Sequence, residues 1–230
     1  MTPTVVCWKW TTPGYHSTFG AGAVNVLASM VRRHGLDRVL CVTNDPEGID
    51  ASVEVIHDRE DFARVPSPHG SRNPSCYRRL RMFEPDAAET FGERVLSLDL
   101  DCVVTGDLMP LLDLEDDFVA WCDPNHVRQY NGSMMLLRIG SRPSVWKKFD
   151  PSASPSEALN AGFKGSDQAW ISYCLPGEKT WSNEDGIYSY RTDHCERDLP
   201  LNAKVVFFHG RCDPWSPVAQ QAAWVREHWQ

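Results

Sequence analysis

The chain has no Cys-x-x-Cys pair, no internal repeat, no low-complexity tract and no apolar run long enough to cross a bilayer. Each absence removes a class. Without a Cys-x-x-Cys, a zinc module is not expected. The eight cysteines, Cys7, Cys41, Cys76, Cys102, Cys122, Cys174, Cys195 and Cys212, are scattered instead. Several of them (Cys7, Cys41, Cys102) fall in apolar strand-like runs and read as small core residues, which suits a reducing cytoplasm. The opening MTPTVVCWKW carries neither a basic n-region nor an apolar h-region, so no secretory signal is expected. Positive charge is also short: 23 Lys and Arg stand against 31 Asp and Glu, a net charge of −8. That weighs against a large polyanion as the main partner, because nucleic-acid binding rests on phosphate neutralisation. A basic cluster, Arg78, Arg79 and Arg81, sits inside this acidic whole.

What is present is an ordinary globular chain of 230 residues, 42% hydrophobic and 23% charged, enough for one well-packed α/β domain. VVCWKW at 5–10 reads as a first strand, followed by a Gly-, Pro- and hydroxyl-rich loop. Helical spacing of Val24, Val26, Leu27 and Val31 predicts a helix over 23–34, stopped by Gly35. Apolar runs predict strands over 38–45, 52–56 and 94–100. Residues 58–74 read as a loop and 75–83 as a helix. The second half predicts strands over 117–122, 132–139 and 204–209, and helices over 144–149, 166–174 and 218–229. Strands reading as continuous apolar runs and alternating with helices give an α/β class with buried parallel strands. No linker composition divides the chain, so one domain over 1–230 is expected.

The stretch VLSLDLDCVVTGDL concentrates the chemistry. Asp99 and Asp101 lie two apart, on one face if the chain is extended, and two like charges that close need compensation. Three readings are open. They are strand-end residues capping a turn in water. Or DLDCV is the D-x-D-x-[TV] nucleophile motif of a haloacid dehalogenase-type phosphatase, with Asp99 attacking a phosphoryl group. Or they hold a divalent cation against the diphosphate of a sugar nucleotide. The phosphatase motif usually lies on the first strand; here several strands precede it, and Val103 and Val104 continue the apolar run where a flexible residue is expected. The cation reading demands a third ligand at another strand end. KVVFFHGRCDPW supplies His209, then Gly210, which lets a backbone approach phosphate, then Arg211.

Taken together, VVCWKW with VNVLASMVRRH, YRRLRMF, LSLDLDCVVTGDL, YNGSMMLLRIG, GSDQAWIS and FHGRCDPW occur in the order of a GT-A glycosyltransferase. The chain is similar to the glycogenin-like and bacterial galactosyltransferase members of glycosyltransferase family 8, over residues 5–215. Two departures stand out. The family's N-S-G order is Asn131-Gly132-Ser133 here, and Asp213 replaces the lysine expected before Pro-Trp.

The resemblance implies a single GT-A (Rossmann-like) α/β domain with a mostly parallel central sheet flanked by helices. Residues 1–108 form its nucleotide-binding half; 109–230 form the acceptor half with the closing strand and helix. It implies transfer of a sugar, with retention, from a nucleoside diphosphate sugar, UDP-sugar first, to a hydroxyl acceptor. Mn²⁺ (or Mg²⁺) would be held by Asp99, Asp101 and His209. Val6, Trp8 and Lys9 would flank the base, and Leu100 would bring its backbone to the ribose. Arg79, Gly210 and Arg211 would serve the diphosphate, the last taking over from the missing lysine. Asp167 and Gln168 would sit at the sugar, a role compatible with an N-cap at Ser166 or Asp167. Asp123 and Asn131 are further candidates for sugar hydroxyls. Trp8, Trp10, Trp121 and Trp170 are expected to be mostly core. The acceptor stays open between a sugar, a protein hydroxyl and a modified DNA base; the last would recruit Arg72, Arg78 and Arg81. A sugar-nucleotide binding module without turnover is the other class.

Overall fold

The computed structural model describes residues 2–12, 19–68, 75–210 and 212–230. A seven-stranded sheet runs in the order β3-β2-β1-β4-β7-β6-β8: β1 Thr4–Lys9, β2 Val39–Thr43, β3 Glu54–His57, β4 Arg94–Leu98, β6 Phe118–Cys122, β7 Tyr130–Arg138 and β8 Lys179–Trp181. Strands β3, β2, β1 and β4 are parallel neighbours, and β7 lies antiparallel between β4 and β6. A second sheet of three strands, β5 Cys102–Val104, β10 Val205–Phe207 and β9 Ile187–Ser189, has β10 in its middle.

Burial on both faces explains why β1, β2 and β4 read as unbroken apolar runs. Alternate residues of one strand enter different cores. Val5, Cys7, Leu96 and Leu98 join one cluster with the helix Ala21–Arg32 and the small sheet. Val6, Trp8 and Val95 join the other, beneath Tyr77, Phe83, Phe118 and Trp170. Cys7, Cys41 and Cys102 are fully buried free thiols, as their apolar setting implies.

Two elements differ from the sequence reading in a way that matters. The run 94–100 is not one strand. It ends at Leu98, and the chain enters the other sheet at Cys102, so Asp99, Leu100 and Asp101 form the seam between sheets. Residues Tyr77–Phe83 form a 3-10 helix with all seven residues buried. Runs of this length are uncommon because the hydrogen bonds are poor; burial on all sides holds this one. The closing helix is also shorter, Ala223–His228 after a turn at Ala219–Gln221.

The same buried turn removes the expected basic patch. Arg78 is 3% exposed, ion-paired to Asp58 and set 4.7 Å over the Trp10 ring. Arg81 is buried, donates to the His57 carbonyl at 3.1 Å and lies over Phe91. Neither offers charge to a polyanion, and Arg72 lies outside the described residues. Removing one member of a buried pair leaves the other charge uncompensated. Asp58→Ala is therefore expected to cost about 3–5 kcal/mol, read from the denaturant midpoint at unchanged slope. A cost under about 1 kcal/mol, as for an exposed pair, would place this pair in water.

Candidate active site

The strand order places β1 between β2 and β4, so connections leave it in opposite directions. In open α/β sheets such a switch point, at the carboxyl ends of the strands, is where ligands bind. Asp99 follows the end of β4 there. Its backbone N–H donates to Ser133 at 2.9 Å, carrying on the pairing with β7, while the Asp101 carbonyl accepts from Phe208 at 2.7 Å beside β10. Leu100 turns into the core between them. The two carboxylates are thus pinned to two sheets by backbone bonds on either side of one buried leucine.

Arg79 joins this seam to the other half of the site. One terminal nitrogen meets Asp99, and Nε meets Asp167 Oδ2 at 2.7 Å. Arg79 is 5% exposed and Asp167 1%. Burial pulls the guanidinium's pKa down, but Asp167 and Asp99 outweigh it and hold it well above its ordinary value. Asp167 opens the helix Asp167–Cys174; Ser166, at the N-cap position, makes no capping bond and donates to Asp167 instead, at 3.1 Å. Arg79 is therefore a bridge between two carboxylates.

A bulge makes room for that bridge. Pairing between β6 and β7 shifts between Ala120, opposite Met135, and Trp121, opposite Asn131. Bulges re-aim strands, often beside sites. Gly132 lies in this one: a Cβ there would come within 2.6 Å of Arg79 Nη2. Its N–H donates to Gln168 Oε1 at 2.9 Å, fixing that side chain. Asn131 Oδ1 accepts from Ser133 N at 2.9 Å within the bulge. The altered Asn-Gly-Ser order thus puts the residue without a side chain against Arg79.

His209 follows β10 and stacks on Trp121 at 5.4 Å. Its Nε2 is buried with no hydrogen-bond partner among the described residues. Burial lowers its pKa, which favours the neutral imidazole that binds metals. Burial, with Asp99 and then Asp213 beside it, raises the Asp101 carboxyl well above the carboxylate range. A donor set of carboxylates with an orphaned imidazole nitrogen suits a divalent cation. Yet among the described residues no group of three or more His, Cys, Asp or Glu side chains is arranged to hold a metal ion. Of the expected trio Asp99, Asp101 and His209, Asp99 is ion-paired to Arg79.

Other expected residues are placed as follows. Val6 and Trp8 point into the core, Trp8 against Phe91 at 6.3 Å, so neither side chain forms a platform for a base. Lys9 is 3% exposed and bound to Asp45 at 2.7 Å. Asp123 is fully buried, with Arg128 at 3.1 Å and Val127 N at 3.0 Å on its two oxygens. A sugar hydroxyl would reach it only by displacing Arg128. Gly210 has φ +87°, a conformation that favours glycine. Trp170 is core, its indole donating to Val145. Arg211 lies outside the described residues. Two arginines went unmarked in the sequence: Arg128, and Arg191, whose Nη1 lies 3.9 Å from a Cβ built on Gly210. No motif surrounds either. A cavity of about 320 Å³ adjoins the site, bounded by Trp121–Pro124, His126, 182–184 and Asp193.

These features define an open α/β fold with a carboxylate-lined cleft at its switch point. No family model matches the sequence, and no curated protein matches it. Solved structures do. Galactosyltransferase LgtC, in complex with donor and acceptor sugar analogs, aligns with a TM-score of 0.62 at 18% identity over 99% of this chain and 96% of its own. The glycosyltransferase GlyE of Streptococcus pneumoniae TIGR4 aligns at 0.58 and 14%, over 94% of this chain and 57% of its own. A glycosyltransferase involved in glycosylation of the major capsid of PBCV-1 aligns at 0.53 and 14%, over 98% and 100%. The chain has the GT-A glycosyltransferase fold, similar to that of family 8.

Gly132→Ala tests the bridge. The new methyl must displace Arg79 from Asp99 or Asp167. Far-UV circular dichroism should be kept while stability, read from the denaturant midpoint, falls by about 3–5 kcal/mol, as for a buried ion pair that loses a partner. A loss under about 1 kcal/mol would mean that the bridge tolerates movement.

Proposed function

We propose that the protein transfers a sugar from a nucleoside diphosphate sugar, UDP-sugar first, to a hydroxyl acceptor, with retention of configuration and with Mn²⁺ or Mg²⁺. The observation that carries this reading is the Asp99–Arg79–Asp167 bridge at the β1/β4 switch point. It ties the carboxylates of the seam to the helix that carries Gln168. LgtC, which shares the fold, was solved with donor and acceptor sugar analogs.

In this reading the residues divide the work. Asp101 and His209 would hold the cation, together with Asp99, whose carboxylate is shared with Arg79. A cation bound there would offset the charge of the departing diphosphate. Arg79 sets the positions of Asp99 and Asp167. Gln168, held by the Gly132 N–H, faces the transferred sugar with Asp167. Gly210 lets the chain pass close to the diphosphate, and Arg211 adds positive charge. The backbone at the end of β1, after Lys9, flanks the base, and Leu100 the ribose. Asn131 shapes the sugar side through the bulge, and Asp123 does so through Arg128.

The acceptor enters from the second half, past the cavity beside Trp121 and His126. Its amide, hydroxyl and carboxylate lining suits a sugar or another small hydroxyl acceptor. The modified-DNA alternative loses its support with Arg78 and Arg81 buried. The manganese ion is favoured over magnesium because imidazole is in the donor set.

Nucleotide release from a panel of UDP-sugars tests the reading. Release, by transfer or slow hydrolysis, should require Mn²⁺ and disappear in Asp101→Ala while the fold is kept. Full activity in excess chelator would contradict it. Tight UDP binding with no turnover of any donor would instead make the protein a binding module. A second comparison addresses the acceptor: transfer to simple glycosides should change little with added salt. Transfer only to a hydroxymethylated oligonucleotide, falling steeply with salt, would restore nucleic acid as the acceptor.

A further inference from the structure

The family pattern has a lysine where this chain has Asp213, and three other cations of the cleft are already bound. Arg79 lies between Asp99 and Asp167, and Lys9 is held by Asp45. Arg128 is held by Asp123. A fourth is not. Strands β9 and β10 run parallel with Ser189 opposite Phe207. They stay side by side beyond their ends: Tyr190 N donates to the Phe207 carbonyl at 2.8 Å, and the Tyr190 and Phe208 rings stack at 4.2 Å. The next step along both chains brings Arg191 beside His209. Arg191 Nη1 lies 3.9 Å from a Cβ built on Gly210. Arg191 is exposed and has neither an ion pair nor a side-chain hydrogen bond among the described residues. The acid nearest in sequence, Asp193, is committed to Asn183 at 2.8 Å and to Ser189 N at 2.7 Å.

We infer that Arg191 binds the diphosphate of the nucleotide donor, supplying from the β9 side of the small sheet the positive charge that Asp213 does not. This inference rests on the nucleotide-sugar reading above. A guanidinium forms two parallel bonds to phosphate oxygens and stays charged at every working pH. At this position it faces the His209-Gly210 segment, which combines a buried imidazole Nε2 with a glycine at positive φ. The residue is invisible to a motif search because it comes from a different strand than the terminal His-Gly segment.

Titration calorimetry of the full chain with UDP and with uridine, in Mn²⁺, separates the possibilities. Arg191→Ala should weaken UDP binding by about tenfold to a hundredfold, the range of hydrogen bonds to charged groups, and leave uridine binding as in the parent. Arg191→Lys should recover part of the loss. Arg197→Ala, which removes an exposed charge from the same loop, should change neither. Equal losses in Arg191→Ala and Arg197→Ala, or equal losses for UDP and uridine, would overturn the assignment, as would UDP binding unchanged by Arg191→Ala. A parent protein that binds no nucleoside diphosphate would overturn the nucleotide-sugar reading itself, and the role of Arg191 with it.

Discussion

One buried guanidinium organises this molecule. Arg79 has almost no contact with water and meets two carboxylates, Asp99 from the seam and Asp167 from a helix 88 residues further along the chain. Taking such charges out of water is costly, and the arrangement persists only with the full set of partners in place. The surrounding structure supplies that set. A 3-10 turn, buried on every side, presents Arg79. A bulge in β7 withdraws side-chain volume at Gly132, and the Gly132 N–H fixes Gln168 beside it. Removing any one of these pieces leaves the others with unbalanced charge or with nothing to pack against.

The seam between two sheets is the second half of this design. Asp99 is tied by its backbone to β7, and Asp101 to the segment after β10. The spacing of the carboxylates is therefore set by how the sheets meet, with Leu100 buried between as a pin. The same meeting place brings Trp121 from the large sheet against Phe207 and His209 from the small one, with ring centroids 4.8 Å and 5.4 Å away. Rigid strands on both sides suit a site that must hold charged groups at fixed distances.

Much of this was legible in the sequence, for physical reasons that also explain the failures. VVCWK, RVLCVT and RVLSL are buried on two faces, and such strands announce themselves as apolar runs. The run 94–100 was over-read because Leu100 continues the apolar pattern, and composition does not show that a chain has changed sheets. The strands Lys179–Trp181 and Ile187–Ser189 were missed: each is three residues long, too short for any periodicity. Arg78 and Arg81 looked like a surface cluster because a charge in a sequence reads as solvated. Asp58, which buries Arg78, lies 20 residues upstream. The aspartates, His209, Asp167 and Gln168 stand in local motifs, so a sequence can mark them as candidates. Arg128 and Arg191 act through tertiary neighbours that no local spacing encodes.

In the proposed reading, the seam and the segment after β10 together hold a metal-bound nucleoside diphosphate. A crystal structure of the full chain with UDP and Mn²⁺, with anomalous data collected for manganese, tests it most directly. An anomalous peak coordinated by Asp101 and His209 Nε2, with the diphosphate lying along Gly210, is the predicted result. Manganese bound away from these residues, or a nucleotide seated at another edge of the sheet, would contradict it.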